Sequence, residues 1–289
     1  IKNNRFKHMK LHYYRPDENT SNFGDELNKY IWEAYLPDFF DANEDHVFLG
    51  IGTVVKEAKK FYSKSEKVFI LGSGVRSEGI NVLNNVEILF LRGPLSAKAL
   101  HVPDKFITDP AILTPKIFPL KKVPKKWAFS FMPHFSSIND KYLQVFKENG
   151  VHIIDPRDDV KQIIEDINAS EILLTEAMHG AIVADAYRVP WIPIKSYDSF
   201  NYFKWNDWSQ SHHLNIKINK IPRFFDSDNK LKFLIKNLIF KNRFNKIKRL
   251  QPYLSDKQIH DNHIESIEKA IKMFRTNYEN RENNDPIDV

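Results

Sequence analysis

The chain has 289 residues, of which 42% are hydrophobic and 28% are charged, a mixture typical of a globular protein that buries its own core. It contains no cysteine, which excludes disulfides, thiolate metal sites and cysteine nucleophiles. Its net charge of +6 is a modest basic excess that fits an anionic substrate or a membrane surface as well as nucleic acid.

In the first part of the chain, short apolar strands alternate with helical patterns. We predict strands at Lys10–Tyr14, Val47–Ile51, Val68–Leu71, Ile88–Leu91 and Phe106–Thr108, and helices at Asp25–Leu36 and Pro94–His101. This alternation favours a parallel sheet with helices on both faces.

The segment Phe118–Lys126 contains two prolines and four lysines, and it is typical of a linker. Beyond it the alternation resumes, with strands at Trp127–Met132, Val151–Asp155, Glu171–Thr175 and Trp191–Ile194, and helices at Asp140–Asn149, Asp158–Asn168 and Met178–Arg188. We therefore expect an α/β protein of two Rossmann-like lobes, over residues 1–120 and 121–225.

Residues 226–289 are predicted to form a basic, helical C-terminal extension. The stretch 229–250 carries eight Lys and Arg residues and no acid, with apolar residues at roughly helical spacing. Two interpretations remain open: the apolar stripe packs on the lobes, or it attaches to anionic lipid.

No run of about 18 apolar residues is present, which predicts no transmembrane helix. Residues 1–8 are basic and polar and lack the apolar region of a secretory signal. We expect a cytoplasmic protein, either free or at the inner face of the membrane.

In doubly wound folds, ligands bind at the carboxyl ends of the strands. The residues that follow the predicted strands are rich in Arg, His and Gly: Asn22–Asp25, Gly72–Arg76, Arg92-Gly93, Asp109-Pro110, His134 and Glu176–Gly180. Glycine lets backbone N–H groups approach a ligand and Arg offers a bidentate fork, so this composition indicates a site for a compact anion.

Two local patterns admit more than one interpretation. The sequence from Gly72 through Gly74 to Arg76 superficially resembles a dinucleotide loop, but Ser77 stands where the third glycine belongs. We interpret it as a tight turn with Arg76 facing the cleft.

Asp226 and Asp228 have the spacing of a metal-binding pair. They precede the tail, however, and fit a helix cap better, so we assign no metal site.

His179 begins a predicted helix after a strand and follows Glu176, an acid that could orient its imidazole. From the local pattern, a catalytic and a structural role are equally open. His134 follows Pro133, which marks a turn. Asn22 and Asp25 fit N-capping of the first helix as well as contact with a ligand.

Taken together, these pieces resemble the polysaccharide pyruvyl transferase family, in its bacterial exopolysaccharide branch. The resemblance runs from about Asn22 to about Trp208. It rests on the order of Asn22-Phe-Gly-Asp-Glu-Leu, Gly72-Ser-Gly, Leu91-Arg-Gly-Pro-Leu-Ser, Thr108-Asp-Pro-Ala, Phe131-Met-Pro-His and Glu176-Ala-Met-His-Gly-Ala-Ile-Val-Ala-Asp-Ala, followed by Pro190-Trp-Ile-Pro-Ile and Phe203-Lys-Trp-Asn-Asp-Trp.

The resemblance implies a glycosyltransferase-B-like fold and transfer from phosphoenolpyruvate to a glycan or lipid-linked sugar. We expect no cofactor and no metal, because Arg and backbone N–H groups can stabilise the leaving phosphate. Many members carry Arg two residues before the histidine of the last long motif, where this chain has Ala177. The exopolysaccharide branch often reads Glu-Ala-Met-His, so this departure is compatible with the family. It leaves open which cation holds the donor.

We assign catalysis to His179 and Asp25 and the acceptor side to Asn22. The predicted donor-binding residues are Arg92, Arg76, His134, Gly72, Gly74, Glu176 and Lys195. A nucleotide-sugar glycosyltransferase of the same fold is the alternative enzyme. Nucleic-acid binding is disfavoured because the aromatic residues are spread through predicted strands and do not interleave with the lysines of the tail.

Overall fold

The computed structural model describes residues 8–15, 21–81, 83–224 and 230–284 of the chain. Its first half forms a five-stranded, wholly parallel sheet in the order β2-β1-β3-β4-β5. The strands are β1 Met9–His12, β2 Phe40–Asp41, β3 His46–Leu49, β4 Lys67–Leu71 and β5 Val86–Phe90. All four residues of β3 are buried, as expected for a central strand covered on both faces.

A second five-stranded parallel sheet follows, in the order β10-β9-β8-β6-β7. Its strands are β6 Trp127–Met132, β7 His152–Ile153, β8 Ser170–Thr175, β9 Trp191–Lys195 and β10 Asn219–Lys220. The prediction of an α/β protein with two parallel sheets is confirmed.

Helices connect and cover the strands. They are α1 Phe23–Tyr35, α2 Val55–Phe61, α3 Pro94–Ala99, α4 Thr114–Ile117, α5 Asp140–Lys147, α6 Val160–Asn168, α7 Met178–Ala186, α8 Tyr202–Ser211, α9 Lys230–Ile247 and α10 Lys257–Asn284. Helix α1 buries the stripe Leu27, Ile31 and Trp32, and the same apolar cluster includes Ala181 and Ile182 of α7. One core therefore runs continuously from the first lobe into the second.

One predicted strand is wrong. The segment Phe106–Thr108 makes a single bridge, from Phe106 to Leu91, and continues into a 3-10 turn at Pro110–Leu113. The side chain of Asp109 accepts a hydrogen bond from the backbone N–H of Ala111, and Pro110 occupies the first position of the turn. This local cap competes with strand pairing and ends the extended segment.

The two helices after β10 pack on different lobes. Helix α9 packs on the second sheet through Phe240, Phe244 and Ile247, and α10 packs on the first through Phe274 and Tyr278. No helix within the described ranges is long and apolar enough to cross a membrane. The pair Asp226 and Asp228 lies outside the described residues.

Candidate active site

A cavity of about 350 Å³ lies between the lobes, where strands of both sheets end. Its wall combines the loops after β3, β4, β6, β8 and β9 with the N-terminal turn of α1 and the start of α8. Six predicted site residues line it: Asn22, Asp25, Arg76, His134, Glu176 and His179. Residues of the wall that were not predicted include Thr53, Glu57, Tyr197 and Lys204.

His179, at the start of α7 in the second lobe, reaches across to the first lobe. Its imidazole lies so close to Gly24 of α1 that a Cβ at Gly24 would stand 1.8 Å from Nδ1, so only glycine admits this ring. On the other edge, Nε2 lies 3.5 Å from Oδ2 of Asp109. Both of those atoms are buried, and neither has a hydrogen-bond partner among the described residues. The arrangement places a buried carboxyl group next to the imidazole.

Asp25 lies beside this histidine, in the first turn of α1. Burial raises the pKa of its carboxyl group, while the positive charge of His179 and a hydrogen bond donated by Asn22 oppose that rise. A carboxyl group with a raised pKa exchanges protons closer to neutral pH than a free aspartate does. Asp25 and His179 therefore lie side by side on one wall of the cavity.

His134 faces the same cavity from the loop after β6. Burial lowers its pKa to about 4, and repulsion by Lys204 and Arg76 acts in the same direction. Its Nδ1 accepts a hydrogen bond from the backbone N–H of Ser136 at 3.3 Å. Because its pKa lies well below 7, His134 is uncharged at neutral pH, and its imidazole carries one N–H group.

Two cations reach the wall from different lobes. Arg76 follows β4, and Lys204 lies in the first turn of α8, where the Asn201 side chain accepts a hydrogen bond from its backbone N–H. Burial lowers the pKa of Lys204 to about 8; Arg92 and Arg76 add to this effect, and Asp25 and Asp109 oppose it. Near neutral pH the cavity thus presents one guanidinium and one ammonium group.

Glu176 lies on the wall but is almost fully buried, and the protein itself uses both of its carboxylate oxygens. Oε1 accepts hydrogen bonds from the backbone N–H of Ser196 at 2.8 Å and from the Tyr142 hydroxyl at 2.9 Å. Oε2 accepts from Ser137 and from the backbone N–H of His134. Through these hydrogen bonds, the Glu176 carboxylate connects the loops after β6, β8 and β9.

Arg92 is not on the cavity wall, contrary to the expectation that it faces the donor. Its side chain is fully buried and pairs with Asp207 of α8, with Nη2 at 3.0 Å from Oδ2 and Nε at 3.1 Å. Its remaining N–H groups donate to the carbonyls of Gly52 and Val75 and to the Thr53 hydroxyl. All five guanidinium donors are satisfied inside the protein, so Arg92 joins α8 to the first lobe.

Three more predicted donor-binding residues lie off the wall. Gly72, at a φ of +92°, leaves room for Pro110, and Gly74 leaves room for the Arg92 guanidinium. The ammonium group of Lys195 lies 4.9 Å from the centre of the Tyr202 ring. Gly72 and Gly74 therefore allow close packing within the first lobe, and the lysine on the cavity wall is Lys204.

Comparison with known proteins assigns this chain to a family. The family described as "Polysaccharide pyruvyl transferase" matches residues 10–199. The chain belongs to the polysaccharide pyruvyl transferase family. It is also 35% identical over 225 residues to the "Succinoglycan biosynthesis protein ExoV" of Rhizobium meliloti (strain 1021), covering 74% of this chain and 68% of that protein.

Two solved structures resemble this pyruvyl transferase family member in part. A functionally uncharacterized protein from Klebsiella pneumoniae aligns with a TM-score of 0.47 at 13% identity, covering 73% of this chain and 92% of that one. The Methanocaldococcus jannaschii UDP-GlcNAc 2-epimerase, in complex with UDP-GlcNAc and UDP, aligns with a TM-score of 0.42 at 16% identity, covering 86% and 82%.

Proposed function

We propose that this protein transfers the pyruvyl unit of phosphoenolpyruvate to two hydroxyl groups of a sugar, forming a cyclic ketal during surface-polysaccharide biosynthesis in the cytoplasm. The observation that best supports this donor is the convergence of Arg76, Lys204 and neutral His134 on one small cavity. Phosphoenolpyruvate carries a phosphate and a carboxylate on a three-carbon skeleton, and its binding requires several hydrogen-bond donors at short range.

In the proposed reaction, His179 protonates the methylene carbon of the donor, which becomes the methyl group of the ketal. One sugar hydroxyl adds to the central carbon, the bond from that carbon to the phosphate oxygen breaks, and a second hydroxyl closes the ring. Each hydroxyl releases one proton. One proton restores His179 and the other leaves with phosphate, so no net oxidation or reduction occurs.

Asp25 and Asn22 are proposed to serve the acceptor side. The raised pKa of Asp25 suits a carboxylate that takes a proton from a sugar hydroxyl as the hydroxyl attacks. The hydrogen bond from Asn22 fixes the orientation of that carboxylate. Because His179 lies next to Asp25, a proton gained from the acceptor has a short path back to the imidazole.

An adjoining cavity supports an entry path for the acceptor. It has a volume of about 620 Å³ and shares Thr53, Glu57 and Arg76 with the first cavity. Its outer wall includes the exposed lysines of α2 and the loop after β4: Lys56, Lys59, Lys60 and Ser77–Asn81. Lysines at this rim suit an acceptor that carries a phosphate or diphosphate next to its sugar.

Asp109 is proposed to position His179 and stabilise its protonated form. Asp109→Asn keeps the oxygen that caps the Ala111 N–H but removes the charge. We expect the loss of this charge, which faces Nε2 of His179 at 3.5 Å, to lower kcat roughly 10- to 100-fold, or about 1.4–2.7 kcal/mol. The donor KM should stay within about twofold, because Asp109 lies behind the imidazole; steady-state kinetics measure both quantities.

Asp104→Asn is the matched control, since Asp104 is exposed on a loop only five positions earlier in the chain. It should leave both constants unchanged. If the Asp109→Asn variant kept the wild-type kcat, Asp109 would have no role in the mechanism. A variant that loses thermal stability along with activity would indicate a structural role.

The donor assignment is tested by ligand stabilisation, because a ligand that binds the native state raises the midpoint of thermal unfolding. We expect phosphoenolpyruvate, and not nucleotide sugars, to stabilise the wild type. Lys204→Gln should remove most of this effect, while Lys195→Gln should retain it. As pH rises through about 8, Lys204 loses its proton and its attraction for the donor, so stabilisation of the wild type should decline.

Stabilisation by a nucleotide sugar and not by phosphoenolpyruvate would favour a glycosyltransferase. Equal donor effects in the two lysine variants would refute the placement of the donor beside Lys204. A direct assay of phosphate release, run with phosphoenolpyruvate and a panel of galactosides, glucosides and N-acetylhexosaminides, then identifies the acceptor.

A further inference from the structure

Helix α9 carries two apolar faces. One consists of Phe240, Phe244 and Ile247, is buried, and packs on the second sheet. The other, which we call the outer face, consists of Leu234, Ile235, Leu238 and Ile239, with exposed fractions of 41% to 69%. At about 3.6 residues per turn these two sets point in opposite directions. Packing on the lobe therefore accounts for one face of the helix and leaves the other in solvent.

Basic residues flank the outer face on both sides. In a helical projection, Lys230 and Lys241 lie along one edge, and Lys236 and Arg243 lie along the other. The helix contains no acidic residue. A contiguous group of exposed large aliphatic side chains is uncommon on a protein that stays in water, and it marks a contact surface. An apolar strip bordered by cations is complementary to a bilayer with anionic headgroups.

Helix α9 begins near the end of the second lobe that carries the site. At the start of α9, Phe233 contacts Phe224, and Phe224 in turn lies 6.2 Å, between ring centres, from Tyr142. Tyr142 donates its hydroxyl hydrogen bond to Glu176 on the cavity wall. Further along α9, Phe244 contacts Phe129 toward the opposite end of β6. The helix therefore begins at the cavity end of the sheet and runs away from it.

We propose that α9 docks this protein on the surface of an anionic membrane, with the outer face inserted among the headgroups and the flanking lysines on the lipid phosphates. The helix lies in the interface in this arrangement and does not cross the bilayer. The docking surface is inferred from α9 alone. Only its consequence, that a lipid-linked sugar is presented near the cavity, rests on the proposed function.

The test is co-sedimentation of the full chain with phosphatidylcholine vesicles that contain or lack phosphatidylglycerol. We expect the wild type to bind the anionic vesicles and to bind the neutral ones weakly. Leu234→Gln/Leu238→Gln should lower binding to anionic vesicles at least tenfold. Lys236→Gln/Lys241→Gln should lower it as well and should weaken its dependence on salt.

Met273→Gln is the matched control, because Met273 is 56% exposed on α10, which packs on the first lobe. This variant should bind as the wild type does. Wild-type binding by the Leu234/Leu238 variant, or equal binding to neutral and anionic vesicles, would overturn the proposal. A wild type that ignores vesicles but forms a dimer lost in that variant would assign the outer face to a second copy instead. No donor is present, so the outcome is independent of the donor assignment.

Discussion

His179→Gln lowers kcat about 10²- to 10⁴-fold, the range typical for removal of a general acid or base. Glutamine has a similar size and can occupy the space above Gly24, but it cannot exchange a proton near neutral pH. We expect the midpoint of thermal unfolding and the stabilisation by phosphoenolpyruvate to stay close to those of the wild type. The measurements are steady-state transfer kinetics and thermal unfolding with and without the donor.

His152→Gln is the control for this substitution. His152 also pairs with an aspartate, Asp166 at 2.9 Å, but it lies on β7 at the edge of the second sheet, away from the cavity. Its loss should leave kcat unchanged. If His179→Gln retained kcat within about tenfold, proton transfer would have to be reassigned, with Asp25 as the next candidate.

Arg92→Met lowers the stability of the folded protein by about 3–5 kcal/mol, because it leaves the buried carboxylate of Asp207 without its cation. Asp207 would keep only the hydrogen bonds from the backbone N–H and hydroxyl of Ser96. Methionine fills much of the same volume, so the loss reflects charge more than packing. Chemical denaturation followed by circular dichroism measures the change.

The control is Arg281→Met, which breaks another ion pair between distant segments, with Glu87. That pair is exposed, and its removal should cost less than about 1 kcal/mol. If Arg92→Met left stability unchanged and raised the donor KM steeply, the guanidinium would have to leave Asp207 and bind the donor. The structure supports the opposite result, with the main effect on stability.

Much of the fold follows from local patterns in the sequence. Trp127–Met132 was predicted with its observed bounds, because an apolar strand between a lysine-rich linker and a proline has clear ends. Strands β2 and β10 have two residues each and carry no periodicity from which they could be predicted. Helix α8 was not predicted, since its polar and aromatic residues serve contacts with α3 that no local pattern reveals.

The site residues that could be predicted from the sequence are those whose place on the cavity wall follows from their position along the backbone. Asn22, Arg76, His134 and His179 follow strands or begin helices at the cleft, and the structure places all four on the cavity wall. Arg92 also follows a strand at the cleft, but the direction of its side chain is decided by its ion pair with Asp207, which lies 115 positions later in the chain. Lys204 was overlooked for the same reason, although the motif Phe203-Lys-Trp-Asn-Asp-Trp contains both it and Asp207.

The partners of His179 come from the opposite lobe: Asp109 and Gly24 lie in the first, and the histidine lies in the second. The core shared by α1, the turn after Asp109 and α7 runs from one lobe into the other and fixes the separation of these groups. In the proposed reaction, proton transfer by His179 therefore depends on the packing between the lobes.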